Sequence, residues 1–251
     1  MSGLHSFNQI PDRIVRATFM LNLPLPPPNF RGLDPSKPIR FYHRNLPHWR
    51  QDGATYFVTF RLGDSLPQEK LDELKRLRED WERTHPEPRS EQAWDAHMRE
   101  IVRRTEAWLD EGYGACFFRE TRHTEQLEEA LLHFQNERYF VSCSVVMANH
   151  CHVVMQPFPG WELEDILQGL KGVVARRVNS ARDDGGSIWQ EESYDRIVRD
   201  DDHLWRVIQY IGRNPKLAGI PPNEWRRWIH PDWEAIGWRF VDDEQVVNAV
   251  K

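Results

Sequence analysis

Between residues 145 and 157 the chain reads VVMANHCHVVMQP, an apolar run that carries two histidines one residue apart. The preceding stretch, RYFVSCSVVM (138–147), is strand-like and bounded by Ala-Asn, so the run reads as its partner strand. On a strand alternate side chains share a face, which puts His150 and His152 on one side and Cys151 on the other. Two residues span roughly 6.6 Å of strand, near enough for both imidazoles to reach one ion. Cys151 can pack in the core as a small hydrophobe. The pair alone equally describes two hydrogen-bonded surface histidines, and a metal would need further ligands from elsewhere in the chain.

The rest of the chain supplies strands and helices around this pair. ATYFVTFRL (54–62) is enriched in aromatic and β-branched residues and reads as a strand. Residues 67–84 place Leu71, Leu74, Leu77 and Trp81 near helical spacing, with Pro86 and Pro88 after them. Residues 90–112 form a second helical pattern ending at Gly112, and 124–135 a third through Leu127, Ala130, Leu131 and Phe134. Residues 161–182 read as a helix weakened by Gly169 and Gly172. SIWQEESYDRIVR (187–199) reads as a strand, and 200–215 as a helix capped by Asp200 to Asp202 and closed by Pro215. The proline-rich stretch before residue 38 can propagate neither helix nor central strand and reads as an arm or linker. The order predicts an α+β fold with helices on one face of an antiparallel sheet.

At 251 residues the chain is long enough for one sizeable core, or for a domain with an elaborated insert. No window approaches 18 uninterrupted apolar residues, so no membrane span is expected. Residues 14–23 carry Arg16 and are followed by no small-residue cleavage site, so they do not read as a signal peptide. Three cysteines without CxxC spacing (Cys116, Cys143, Cys151) fit a reducing cytoplasm. A net charge of −6 argues against coating nucleic acid through bulk charge, yet two segments are locally basic. Residues 166–182 hold Lys171, Arg176, Arg177 and Arg182 with no acid, and residues 37–61 hold five basic residues against Asp52 alone. They predict either a localised anion-binding surface or two ordinary solvated faces.

MANHCHVVMQP resembles the His-hydrophobic-His strand of the HUH single-strand nucleases, and within them the REP-associated tyrosine transposases. Their strand typically reads Met-Pro-Asn-His-hydrophobic-His; here Ala148 stands in place of the proline and Cys151 is the middle residue. Other segments resemble the family in order. RNLPHWRQDGATYFVTFRL (44–62) is similar to its entry segment and first strand, LKGVVARRVN (170–179) to its basic helix, and IWQEESYDRIVRD (188–200) to its last strand. YIGRNPKLAGI (210–220) is similar to its tyrosine helix and exit. The resemblance covers residues 40–220 and implies a ferredoxin-like core. The expected organisation is an arm over 1–38, a nuclease domain over 39–220 with a helical insert at 64–137, and a Trp-rich tail over 221–251.

The resemblance also implies a nucleophilic tyrosine on a helix with a polar residue four positions later, which here are Tyr210 and Asn214. At about 100° per residue, Leu204, Val207, Ile208 and Ile211 make one apolar stripe, while Tyr210 and Asn214 lie together beside it, one turn apart. Asn214 would join His150 and His152 around Mg²⁺ or Mn²⁺, ions that accept such an oxygen. The bland reading makes Tyr210 a core aromatic and Asn214 a helix cap. Tyr194 is the rival nucleophile, in a strand that offers no ligand at helical spacing. Lys171, Arg176 and Arg177 would hold hairpin phosphates, and Arg40, Arg44 and His48 a flanking single strand. Trp225, Trp228, Trp233 and Trp238 either stack on bases or pack the tail on the body.

The expected activity is a metal-dependent single-stranded DNA endonuclease and transposase acting at hairpins through a covalent phosphotyrosine. The expected protein works as a monomer or homodimer and uses no membrane. A catalytically silent hairpin-binding protein and a metal hydrolase using water are the alternatives.

Overall fold

The computed structural model describes residues 23–44, 46–88, 90–180 and 185–241. A short hairpin pairs β1 (Arg40–His43) with β2 (Pro47–Arg50). Five further strands make one sheet: β3 (Tyr56–Arg61), β4 (Tyr139–Val146), β5 (His150–Pro157), β6 (Tyr194–Ile197) and β7 (Arg226–Ile229). Their spatial order is β6-β3-β5-β4-β7, and every neighbouring pair is antiparallel. The helices are α1 (Gln68–Thr84), α2 (Glu91–Asp110), α3 (Thr121–Leu132), α4 (Leu163–Asn179), α5 (Asp201–Leu217) and the short α6 (Pro231–Ala235). With α3 between β3 and β4 and α4 between β5 and β6, the chain traces the split β-α-β, β-α-β path of a ferredoxin-like core. The fold is α+β, and β7 extends the sheet at one edge.

Helices cover both faces of this sheet, where the sequence predicted one. Tyr56, Val58 and Phe60 of β3 and Cys151, Val153 and Met155 of β5 face α3 and α4, through Leu127 and Leu131 and through Leu170, Val174 and Val178. Phe57 and Val154 face the other way, against Leu204, Val207, Ile208 and Ile211 of α5. The parity of β4 changes midway. Pairing shifts between Val141 and Cys143, so Val141 joins the α3–α4 core while Cys143 and Val145 join the α5 core. One extra residue, Ser142, exchanges the two faces of the strand, so that odd-numbered residues face one core before it and the other core after it.

Further differences follow from tertiary contacts. The last helix does not stop at Pro215 but runs through it to Leu217. Proline removes one amide donor, and the helix continues because Ala218 N still donates to Asn214 O at 2.9 Å. The expected strand over 187–199 is only four residues long, with an isolated bridge from Leu62 to Trp189 before it. Asp200 caps α5 as expected, accepting from His203 N at 2.7 Å. In the tail, Trp233 and Trp238 are fully buried, and their indole N–H groups donate to Pro28 O and Leu25 O at 2.8 Å each. The tail therefore pins the proline-rich segment to the body, and these two rings are not open to bases. A Cβ on Gly212 would lie 2.4 Å from Phe240 Cδ1, so this glycine lets the tail lie directly on α5. Residues 14–22, Arg182 and the end of the tail (242–251) fall outside the described residues.

Candidate active site

β5 is the middle strand of the sheet, and its apolar run buries both histidines: His150 is 1% exposed and His152 0%. They share the face covered by α5, and their ring centroids are 4.8 Å apart. Each ring is held at Nδ1. Asn149 Oδ1, a pure acceptor, sits 2.8 Å from His150 Nδ1, which must therefore donate and leave Nε2 with a free lone pair. Thr59 Oγ1 on β3, in register with His152, lies 2.8 Å from His152 Nδ1. Asn214 Nδ2 donates to His152 Nε2 across 3.0 Å, which assigns the same tautomer to that ring. Burial, with the Arg61 charge alongside, pushes the His150 pKa down to about 3. Burial and His150 push His152 well below its usual range. Both imidazoles are therefore neutral, the form that binds metals.

The α5 pattern brings its polar pair to this place. Docking of Val207, Ile208 and Ile211 on the sheet leaves Asn214 buried against His152, while Tyr210 stays 37% exposed with its ring 6.2 Å from the His152 ring. Tyr194 also lies on this face, opposite Thr59 on the far side of β3 from His152, with its ring 6.4 Å from Phe57. Two strand spacings, roughly 9.6 Å, separate its backbone from that of His152. Of the two tyrosines, Tyr210 is the one beside the pair.

A divalent ion fits this donor set once the Asn214 amide, whose Nδ2 now donates to His152 Nε2, turns its oxygen toward the pair. His150 Nε2 is buried with no hydrogen-bond partner, and the bonds at Nδ1 fix how both rings present Nε2, as a hydrogen bond on the far nitrogen does for a metal-bound histidine. Among the described residues no three His, Cys, Asp or Glu side chains gather around one point, so a third ligand has to be another oxygen, such as the Asn214 amide.

One part of the site carried no signal in the sequence. The Tyr210 hydroxyl bonds to the Glu106 carboxylate, from α2. Burial raises the Glu106 pKa to about 7 and that of Asp110, one turn on, to about 6. Burial and the Glu106 charge push the Tyr210 phenol upward. In sequence these acids are indistinguishable from the solvated face of an amphipathic helix. Thr59 and Arg61 were equally silent, because their link to the histidines is set by strand register alone.

The six residues expected to bind DNA lie on the β1–β2 hairpin and on α4, and Arg44, His48 and Lys171 meet at residues 190–192. Arg40 bonds both oxygens of Glu162 at 2.8 and 2.7 Å, and Arg44 reaches Glu191 at 3.3 Å. His48 is buried, and its ring nitrogens bond Asp195 at 2.6 Å and Glu192 at 2.9 Å. Lys171 is also buried and donates to the carbonyls of Gln190 and Glu191 at 3.1 and 3.2 Å. Both thus serve the fold in this structure rather than facing solvent. Arg177 bonds Gln126 O and Glu129, while Arg176 is exposed.

The buried histidine pair on the middle strand is thus met on one face by a tyrosine and an asparagine from α5. Residues 115–214 match the family described as "Transposase IS200 like", and the matched span contains His150, His152, Tyr210 and Asn214. Over that span the chain is similar to the IS200-like transposases. The solved structure of a REP-associated tyrosine transposase bound to a REP hairpin is 14% identical, with 71% of this chain and 73% of that chain covered and a TM-score of 0.34. That likeness is too distant to bear on function. No curated protein matches the chain.

Proposed function

We propose that this protein cuts and rejoins single-stranded DNA at hairpin ends, with Tyr210 as nucleophile and His150, His152 and Asn214 as the ligands of a divalent ion. The observation that carries the reading is the convergence of a buried, ligand-ready His150 Nε2 with Tyr210 and Asn214 on one face of the sheet. The hairpin specificity follows the family resemblance. When bound, Mg²⁺ or Mn²⁺ would polarise the scissile phosphate and offset its developing charge.

The chain's own groups account for the rest. Tyr210 attacks phosphorus, its phenolic proton leaves, and the 3′-oxygen departs and is protonated to a 3′-hydroxyl. The product is a phosphotyrosine that retains the bond energy needed for rejoining. An ordinary tyrosine, with a pKa near 10, is a weak nucleophile at neutral pH. The Glu106 carboxylate touches the phenol that has to lose its proton.

The test is incubation of labelled single-stranded hairpins with Mn²⁺, followed by denaturing electrophoresis. Wild type and Tyr194→Phe should give a covalent adduct, and Tyr210→Phe should bind DNA and give none. Peptide mapping that places the DNA on Tyr194 would move the nucleophile to β6. Cleavage without an adduct would make the enzyme a water-using hydrolase, and binding without cleavage would leave a DNA-binding protein.

A further inference from the structure

A cavity of about 500 Å³ lies between the α1–α2 pair and the sheet. That volume falls within the ~300–1,000 Å³ of small-molecule sites. Leu71, Leu74, Ile101 and Leu109 give it apolar walls, and Thr59, Glu106 and Tyr194 line it as well. Thr59 holds the His152 ring and Glu106 holds Tyr210, so the cavity is continuous with the candidate active site. Neither α1 nor α2 lies within the span that matches the transposase family.

At its sheet end the cavity is lined by a cation, Arg61, that has no ion pair. Arg61 lies on β3 directly opposite His150, and its guanidinium donates to Leu62 O at 3.4 Å and Ser65 Oγ at 3.0 Å. Among the described residues no carboxylate pairs with it. Burial without a counter-charge lowers its pKa to about 10. Of the other charged lining groups, Glu192 bonds His48, Glu106 bonds Tyr210, Lys75, Glu79 and Glu82 are exposed, and Arg78 is a second, half-buried cation on the α1 wall. A half-buried guanidinium beside apolar walls has one oxyanion position to fill, and phosphate is the anion whose geometry an Arg fork matches.

We propose that this cavity holds one nucleotide of single-stranded DNA next to the cleavage site, with its phosphate on Arg61 and its base between the α1–α2 pair and the sheet. The inference rests on the reading of the chain as a single-strand DNA enzyme and adds a nucleotide-recognition pocket to it. Base and phosphate are matched by different walls, so a flanking nucleotide would be read by fit in the cavity and anchored by charge at its end.

The test uses the full chain and fluorescein-labelled oligodeoxythymidylate, followed by anisotropy across a salt series. Arg61→Met should weaken binding at least tenfold and reduce the log–log salt slope by about 0.7, the contribution of one single-strand phosphate contact. Val102→Trp, which fills the cavity from α2 without touching the charge, should weaken binding by a similar factor and leave the slope unchanged. In the wild type, 4-thiothymidine placed in the strand should photo-crosslink to peptides of α1 or α2, a readout that needs no variant to fold. Wild-type affinity in both variants, or crosslinks only outside α1 and α2, would overturn the proposal. So would dTMP binding as tightly as the oligonucleotide, since the ligand would then be a free nucleotide. Adducts at the wild-type rate in both variants would sink the pocket alone. Loss of binding in both variants with no Tyr210 adduct in any hairpin would sink the tyrosine reading alone.

Discussion

The side-chain amide of Asn214 donates to Nε2 of His152 across 3.0 Å, tying the last turns of α5 to the middle strand of the sheet. Asn214→Ala would leave a buried imidazole nitrogen without its donor, at a cost of about 1–3 kcal/mol in urea unfolding. Calorimetry should also show Mn²⁺ binding weakened at least tenfold, while Asn214→Asp, which keeps an oxygen, retains it. Lost stability with unchanged Mn²⁺ affinity would give Asn214 a packing role only.

The Glu106 carboxyl has a pH dependence with a definite sign. Its folded-state pKa of about 7 lies above its ordinary 4.5, so between those values the folded protein binds the extra proton. Stability contributed by the protonated form is full below about pH 4.5 and is lost as pH rises through 7. Glu106→Gln keeps an oxygen for the Tyr210 hydroxyl and carries no charge at any pH. The variant should therefore gain stability over wild type on going from pH 5 to pH 8, by about 1–3 kcal/mol in paired urea melts. A difference that does not change with pH would mean that Glu106 ionises freely in the fold.

Arg50 joins three elements, and its removal should be costly. Its guanidinium bonds Asp195 of β6, with Nη2 to Oδ1 at 3.0 Å, and Glu164 of α4 through Nε at 2.7 Å. Arg50→Met would leave Asp195 buried with only His48 beside it, and chemical denaturation should show a loss of about 3 kcal/mol. Adding Asp195→Asn should recover part of that loss. A loss below about 0.5 kcal/mol would reduce the cluster to the rank of a surface ion pair.

Trp233 is fully buried between Phe140 and Trp238 and donates to Pro28 O. Trp233→Ala should cost about 3–5 kcal/mol. It should also expose the 23–33 segment to limited proteolysis well below the melting temperature. Trp233→Phe, which loses the indole donor but fills most of the space, should cost about 1–2 kcal/mol. An uncleaved segment in the alanine variant would show that other contacts hold the arm.

By itself the sequence determined the features whose physics is local. Helical spacing over 67–84 and 90–112 became α1 and α2, and the run with two histidines became β5, because periodicity acts between residues a few positions apart. The same rule placed Tyr210 and Asn214 on one side of α5 before any fold was known. Tertiary structure decided what those faces meet. Helices on both faces give the sheet two cores, Ser142 rephases β4 between them, and α5 packs on the face that holds the histidines. Pro215 stays inside a helix, where a local reading ends it, because it is itself buried in the docked face and Ala218 N still bonds Asn214 O beyond it. Glu106 reaches Tyr210 from 104 residues away, and Arg61 stands opposite His150 only through strand register. Such pairings depend on which surfaces bury one another, and no short-range pattern encodes that choice.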